Sequence, residues 1–425
     1  MKKWGLLAVM IVLPIVPIIF WAQMLSGGDL WAILYDVGRL LSLSGFVLIW
    51  VQYVLSARLK WLEKGIGQDK FFIVHRLSGI VGFVLILIHP SLLFASDLLL
   101  GIPPKLTPLK LLGFAGIIAL ILTAGGALLY KALKWKYETW KTLHWASYAI
   151  LPIGFVHSIL GGSTIQSRPV VRGLWIALAA LYVGIVIHRL YNWIRVWRSP
   201  YRVGRVKRET HDTWSLTFEG TRIEHQPGQF MRVRLTRKGK LEPAHPFTIA
   251  SSPTQKQMTI TVKAVGDFTR EIKEVKPGSR AYIDAPYGAF SFVNHDADNL
   301  VFIAGGIGIT PFMSMLRYMR DRQLERNVTL IWGNKTEQDI LFKEELDEMS
   351  KKMRLKVVHV MSAQESWPGE KGFVDQARLK RLLEGIENPQ VFVCGPPAMM
   401  NMVIGALRKI GVPRGRIHSE RFSLR

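Results

Sequence analysis

The stretch KFFIVHRLSGIVGFVLILIHPSLLF, residues 70–94, decides how this chain is read. It is long and apolar enough to cross a bilayer, because about 20 such residues rising ~1.5 Å each span the hydrocarbon. Yet it carries His75 and His89, fourteen positions apart. An imidazole in hydrocarbon is costly unless it is paired or ligated, so a histidine there marks a functional position. A second apolar run supplies His144 and His157, thirteen positions apart. Within each run the two imidazoles are about 20 Å apart along the helix axis.

Outward from these two runs the pattern repeats. Apolar runs occupy residues 4–25, 33–57, 71–96, 108–130, 140–161 and 171–195, which predicts a six-helix membrane bundle. The first run follows Met1-Lys2-Lys3, as a secretory signal would. Its apolar core is too long for one, Pro14 and Pro17 interrupt it, and no small-x-small cleavage site follows, so it reads as retained. Arg58, Lys60, Lys64 and Lys70 fill the second loop, and Lys131, Lys134, Lys136 and Lys141 fill the fourth. The first and third loops hold almost no basic residues, and the fifth only Arg168 and Arg172. Positive loops stay in the cytosol, which predicts a multi-pass protein of the cell membrane with both termini cytoplasmic. The third and fifth runs then cross in the same direction. His75 faces His144 at the inner level and His89 faces His157 at the outer level. Two His–His pairs at two depths are the ligand set of two stacked six-coordinate haems.

Helical winding raises a difficulty. At ~100° per residue, fourteen positions return to within about 40° of the same face, but thirteen miss it by about 140°. Pro152 and Gly154 lie between His144 and His157, and a proline distorts a helix by removing a hydrogen bond. The spacing therefore predicts an irregularity near residues 148–156, or haem planes rotated relative to one another. Arg39 and Arg76 sit where haem propionates need partners, and a guanidinium binds both oxygens of a carboxylate; the alternative, above all for Arg76, is a side chain that snorkels to the membrane interface. His188, alone in the sixth run, reads as a hydrogen-bonded packing residue.

Composition excludes other classes. The 425 residues suffice for two or three domains. Lys and Arg number 55 against 31 acidic residues, a net +24, beside 49% hydrophobic residues. The basic residues collect at the ends of apolar runs rather than on a soluble face, which argues against nucleic acid as a partner. Cys394 is the single cysteine, so no intrachain disulfide or thiolate cluster exists and redox chemistry needs His-held or non-covalent cofactors.

From about Pro200 the chain changes solvent. Alternating stretches such as 230–235 and 258–262, with turns at Pro227-Gly228 and Pro277-Gly278, read as a small antiparallel β-barrel. Apolar strands at 300–304, 328–332, 356–360 and 391–394, separated by helical stretches, read as a doubly wound α/β nucleotide-binding sheet. Gly305-Gly306-Ile307-Gly308-Ile309-Thr310-Pro311 follows the first of these strands and opens a helix. Its glycines admit a pyrophosphate to the backbone, and the helix N-terminus supplies free amides. In the barrel, His245-Pro246-Phe247-Thr248 ends a strand and Gly266-Asp267-Phe268-Thr269 is expected to precede a short helix. By themselves these are ordinary strand-and-turn sequences; in a flavoprotein the first could present a strand edge and a hydroxyl to the flavin ring and the second amides to its diphosphate.

With these motifs in one chain, the sequence resembles the ferric reductase and NADPH oxidase superfamily over nearly its full length. His75, His89, His144 and His157 match that family's four haem ligands in order and spacing. His245-Pro246-Phe247-Thr248 and Gly266-Asp267-Phe268-Thr269 match its flavin contacts. The Gly305–Pro311 run matches the nicotinamide pyrophosphate motif, and Cys394-Gly395-Pro396-Pro397 the strand end beside the nicotinamide ring. The resemblance implies three domains: a transmembrane haem domain over 1–197, an FAD-binding barrel over 198–297 and an NAD(P)H-binding domain over 298–425. It implies electron flow from cytosolic NAD(P)H through FAD and two b-type haems to an acceptor outside. Oxygen is the first expectation for that acceptor; chelated ferric or cupric ion and an extracytoplasmic partner protein are the alternatives. Phe422 stands where relatives carry a flavin-covering aromatic, and Lys335 where NADPH-preferring relatives often carry arginine, so NADPH is expected over NADH. No calcium-binding hand is expected ahead of the helices.

Overall fold

The computed structural model describes residues 15–16, 18–19, 28–57, 59, 68–103, 105–130, 132–135 and 137–420. They fall into two compact units, Met1–Asn192 and Trp193–Arg425. The N-terminal unit is helical, with α1 (Leu30–Ser56), α2 (Gln68–Leu99), α3 (Pro108–Leu120), α4 (Tyr137–Trp145), α5 (Ile150–Gly161) and all but the last turns of α6 (Pro169–Arg198). Five stretches are long and apolar enough to cross a membrane: Leu30–Ser56, Phe71–Leu99, Pro108–Leu129, Thr139–Gly161 and Pro169–Arg198. These are five of the six apolar runs. The first run, 4–25, lies outside the described residues except at four positions, as do Arg58, Lys60, Lys64, Lys131 and Lys136 of the basic loops.

Glycines set the spacing of α1 and α2. A methyl group on Gly45 would lie 3.0 Å from Leu85 Cβ and 3.2 Å from the Gly82 carbonyl. One on Gly82 would lie 3.0 Å from Leu48 Cβ and 3.3 Å from the Gly45 carbonyl. Lipid offers helices no hydrophobic push toward one another, so close backbone packing at small residues drives their association.

Two spans are not regular helices. The third passes through a π-helical turn at Ile121–Gly125 before regaining α geometry over Gly126–Leu129. In the fifth, α4 ends at Trp145, a 3₁₀ segment covers Ala146–Ala149, and α5 begins at Ile150. The expected irregularity near 148–156 thus lies slightly earlier, on the N-terminal side of Pro152. The physical reason is directional: a proline disturbs the turn before it, by withholding the amide that residue i−4 would accept. For Pro152 that acceptor is the Tyr148 carbonyl, and the Tyr182 hydroxyl of α6 donates to it instead at 2.7 Å. The Tyr53 hydroxyl of α1 donates to the neighbouring Ser147 carbonyl. No water reaches such carbonyls in hydrocarbon, so protein donors must satisfy them.

The C-terminal unit holds two sheets. The first comprises β1 (Tyr201–Arg208), β2 (Thr213–Glu219), β3 (Phe230–Arg237), β4 (Lys240–Leu241), β5 (His245–Thr248), β6 (Met258–Lys263) and β7 (Arg280–Tyr287). Their order is β4-β3-β7-β1-β2-β6, with β5 paired to β3, and the pairings are antiparallel. Just past β5, the Ala250 amide donates to the Thr259 carbonyl of β6 at 2.8 Å, so the sheet curls back on itself. Val233, Leu235, Leu216 and Ile260 alternate inward and are fully buried, as a period of two requires of a sheet with one wet face. A short helix, α7 (Asp267–Arg270), follows β6.

The second sheet is parallel, in the order β11-β10-β9-β8-β12-β13. Its strands are β8 (Asn299–Gly305), β9 (Asn327–Asn334), β10 (Leu355–Met361), β11 (Glu370–Lys371), β12 (Gln390–Cys394) and β13 (Ile417–Ser419). The connecting helices are α8 (Thr310–Asp321), α9 (Lys343–Lys352), α10 (Gln376–Leu383) and α11 (Pro397–Lys409). Both faces of β8 are covered, and Leu300 through Ala304 are buried throughout, which is why that strand reads as an unbroken apolar run.

Candidate functional site

Strand order reverses between β8 and β12, and in open α/β sheets ligands bind beyond the carboxyl ends of the strands at such a point. Both nucleotide motifs emerge there. After β8 the chain makes a 3₁₀ turn at Gly306–Ile309 and enters α8, with Pro311 in its first turn. After β12 comes Cys394-Gly395-Pro396. The two loops are in contact, and glycine permits it. A Cβ on Gly308 would lie 2.4 Å from the Cys394 carbonyl oxygen, and one on Gly305 would lie 2.8 Å from Pro396 Cδ. Gly306 has φ +50°, in the left-handed region, yet faces open space, and its carbonyl accepts from Trp332 Nε1 at 3.0 Å. Thr310 Oγ1 donates to the Ile307 carbonyl at 3.1 Å, fastening the turn to the helix.

The Cys394 side chain is fully buried. Burial, seconded by the nearby Glu420 carboxylate, pushes its thiol well above the ordinary range. Glu420 was not singled out from the sequence. It is 8% exposed, and a Cβ on Gly288 would sit 2.8 Å from its Oε1. A carboxylate buried there was discoverable only as an acidic residue just past the short stretch Ile417-His418-Ser419, a weak signal. Phe422 lies outside the described residues.

In the barrel the two flavin motifs converge. The rings of His245 and Phe268 stack at 3.9 Å with planes 25° apart, and Phe247 lies 6.0 Å from Phe268. The Arg237 guanidinium sits 5.0 Å from the centre of the Phe268 ring. Gly266-Asp267-Phe268-Thr269 does not precede a helix; the helix begins at Asp267 within it. Thr269 Oγ1 accepts from the amides of Gly266 (2.9 Å) and Val265 (3.0 Å), so its hydroxyl closes the turn. Pro246 lies in β5, opposite Arg232, and Thr248 ends the strand, buried, opposite Phe230. At the end of β9, Asn334 is buried and both atoms of its amide lack a partner among the described residues, while Lys335 beside it is exposed.

The four intramembrane histidines pair. The His75 and His144 rings lie 6.3 Å apart between centres, with planes at 78°. His89 and His157 are within electrostatic reach of one another. The 3₁₀ segment makes the second alignment feasible: four residues wound at ~120° rather than ~100° cut the misphasing from about 140° to about 60°. Backbone carbonyls hold three of the four rings. Nδ1 donates to the Gly38 carbonyl from His89 (2.9 Å), to the Leu109 carbonyl from His157 (2.7 Å) and to the Thr123 carbonyl from His144 (3.4 Å). A carbonyl only accepts, so the proton sits on Nδ1 and Nε2 keeps its lone pair. Arg39 does not stand free beside them: it pairs with the buried Asp36 and lies over the Tyr35 ring. Arg76 is exposed next to His75. His188 shares a 2.8 Å hydrogen bond with the Asn192 amide.

Comparison with known proteins gives the same order of parts. Residues 41–155 match the ferric reductase like transmembrane component, 202–305 an FAD-binding domain and 302–404 the oxidoreductase NAD-binding domain. The sulfhydrogenase 2 subunit gamma of Pyrococcus furiosus is 32% identical over 222 residues, covering 48% of this chain and 76% of that one. The glycine betaine monooxygenase reductase subunit of Pseudomonas aeruginosa is 28% identical over 237 residues, 53% of this chain. The match spans 64% of that protein's length, less than two thirds. The structure of the flavohemoglobin from Malassezia yamatoensis aligns over 92% of this chain and 96% of its own, with a TM-score of 0.52 at 18% identity, a likeness of fold. Helices of ferric reductase type, an antiparallel FAD-binding sheet and a parallel nucleotide-binding sheet thus follow one another in a membrane-linked flavoprotein oxidoreductase, and the chain belongs to the family of ferric reductase and NADPH oxidase-like architecture.

Proposed function

We propose that this protein carries electrons from cytosolic NADPH to an acceptor outside the cell membrane, oxygen giving superoxide, using FAD and two b-type haems. One observation carries the reading. Two metal–imidazole bonds of about 2.0–2.1 Å, plus roughly 1.2 Å from each nitrogen to its ring centre, span about 6.5 Å, and the His75 and His144 ring centres lie 6.3 Å apart. The carbonyl bonds at Nδ1 of His144, His89 and His157 leave Nε2 of those rings as the free donor, the state a haem ligand needs. When bound, flavin accepts an electron pair as hydride and releases it singly, which haem iron requires because it changes by one charge.

The chain's own residues do the rest. His75 and His144 would hold the inner haem, His89 and His157 the outer one, with Arg76 and Arg39 as propionate partners. Arg39 would have to be shared with Asp36. Two imidazoles at each site would fill the coordination positions that a haem leaves free on its iron, so electrons would pass to the acceptor without the acceptor binding iron. Gly305, Gly306, Gly308, Thr310 and Pro311 admit the pyrophosphate to the backbone. Cys394, Gly395 and Pro396 would border the nicotinamide, and Phe422 would be the aromatic that covers the flavin. His245, Pro246, Phe247 and Thr248 with Gly266, Asp267, Phe268 and Thr269 form the flavin cradle. No carboxylate ends β9, where NAD-binding folds place one for the ribose hydroxyl; Asn334 and Lys335 stand there and favour a 2′-phosphate. The reading divides the chain at 197 and 297 and puts both termini in the cytosol.

The test is purified protein in detergent. Two haems per chain by absorbance, and superoxide on addition of NADPH without added metal, are expected. Absence of a haem Soret band sinks the reading. Activity only with chelated ferric or cupric ion makes it a metal reductase, and reduced haem without turnover on either makes it an electron-supplying subunit for a partner protein.

A further inference from the structure

We infer that the two imidazole pairs are held unequally by the backbone, so that the haem on the outer pair has the lower reduction potential; this rests on the haem reading above. The outer pair is doubly anchored. His89 and His157 donate from Nδ1 to the carbonyls of Gly38 and Leu109 at 2.9 and 2.7 Å, both within the range of a full N–H···O bond. The inner pair is slack. His144 reaches the Thr123 carbonyl only at 3.4 Å, beyond that range, and His75 has no such bond among the described residues.

The anchoring is built by glycines on one side and by a helical defect on the other. Gly38 accepts through its own carbonyl on the α1 face packed against α2, where a Cβ would lie 3.1 Å from Leu93 Cδ2 and 3.3 Å from Leu92 Cβ. Gly113, one turn beyond Leu109, clears the way for His157: a Cβ there would lie 2.7 Å from its Cε1 and 2.9 Å from its Nδ1. Thr123 belongs to the π-helical turn Ile121–Gly125, and its hydroxyl donates to the Ala119 carbonyl at 2.8 Å. That turn presents the Thr123 carbonyl toward His144 at a distance that gives only a long, weak bond.

The consequence is electronic. A hydrogen bond accepted from Nδ1–H makes the imidazole more electron-rich at Nε2, which favours ferric over ferrous iron and lowers the potential. Two short bonds at the outer pair against one long one at the inner pair give two unequal sites. Gly38, Gly113 and Thr123 are positioning residues in this scheme, acting through the histidines.

The test is a spectroelectrochemical titration of haem absorbance in the purified full-length protein. The wild type is expected to titrate as two one-electron components. His144→Ala, which keeps the outer pair, is expected to retain the lower one. Gly113→Ala is expected to raise the lower component and leave the upper one in place. If that variant does not fold, Gly38→Ala, whose methyl would lie 3.1 Å from Leu93 Cδ2, 3.3 Å from Leu92 Cβ and 3.5 Å from the His89 carbonyl oxygen, supplies the same measurement at His89. Coincident potentials in the wild type, or a His144→Ala protein whose remaining haem titrates at the upper potential, overturn the inference while leaving the haem reading intact. A preparation without haem overturns both.

Discussion

The His75 ring stands 6.3 Å from the His144 ring with its plane turned 78° from it. Crossed axial ligands leave ferric iron with a strongly anisotropic low-spin signal in electron paramagnetic resonance, distinct from that of parallel ligands. We predict such a signal, together with one haem per chain rather than two in His75→Ala and His144→Ala. A rhombic signal of the parallel type alone, or an unchanged haem count, contradicts the pairing.

Two neighbouring glycines separate crowding from strain. Gly308→Ala places a methyl 2.4 Å from the Cys394 carbonyl, a backbone atom that cannot move aside. We expect at least a tenfold fall in kcat/KM for NADPH, about 1.4 kcal/mol. Gly306→Ala meets open space and only the cost of a left-handed φ, about 1–2 kcal/mol of stability, with catalysis retained once folded. Equal loss of activity in both variants argues against close loop contact as the reason for Gly308.

Phe268 links the two flavin motifs through its stack on His245. An aromatic pair is worth about 0.5–1.5 kcal/mol, so Phe268→Ala is expected to weaken FAD retention about threefold to tenfold. Haem absorbance is expected to be unchanged. Flavin fluorescence during dilution measures the first; flavin retained at the wild-type level would show that the stack does not serve the cradle.

Acid is expected to loosen the C-terminal unit. Burial pushes the Glu345 carboxyl up, but hydrogen bonds and charge from Arg317 outweigh it and hold it below the ordinary range. Asp321 is likewise raised by burial and lowered further by Thr254 and Arg320. Asp339 follows the same pattern with Thr336 and Lys263. A carboxyl depressed in the folded state lends stability that is complete above its unfolded pKa and disappears as pH falls through the folded one. Burial also holds the His225 and His359 imidazoles below their ordinary range, so thermal unfolding of this unit is expected to move down as pH falls through about 6.5 and to fall further below about pH 4, where the carboxyls protonate. A Tm that rises on acidification would refute the sign.

Cys394 is expected to resist alkylation at neutral pH in the folded protein, since burial and Glu420 keep its thiol protonated. It is expected to react only in denaturant. Rapid labelling of native protein would mean the site opens.

Much of this was legible in the sequence because it rests on periodicity. The strands over 299–305, 327–334, 355–361 and 390–394 appear where unbroken apolar runs stood, since a sheet covered on both faces leaves no polar alternation. The four histidines were legible because polar residues in hydrocarbon are conspicuous. What held them was not. Gly38, Leu109 and Thr123 act through carbonyls, which every residue carries, so side-chain identity gave no signal. The π-helical turn at 121–125 has no proline to announce it, whereas Pro152 announced the 3₁₀ segment and misplaced it by a few residues. Tyr53 and Tyr182 resemble interfacial tyrosines until their carbonyl partners are seen.

The overwound segment Ala146–Ala149 works as a vernier between the two ends of the fifth span. Deleting one residue from it would swing His157 through about 120° and draw it in by ~2.0 Å, past the reach of the Leu109 carbonyl. Such a chain would still spell out every histidine, and a count of motifs would pass it as intact. Length, more than composition, is therefore the conserved quantity to look for in this turn: substitutions that keep four residues are expected to be tolerated where a single insertion is not.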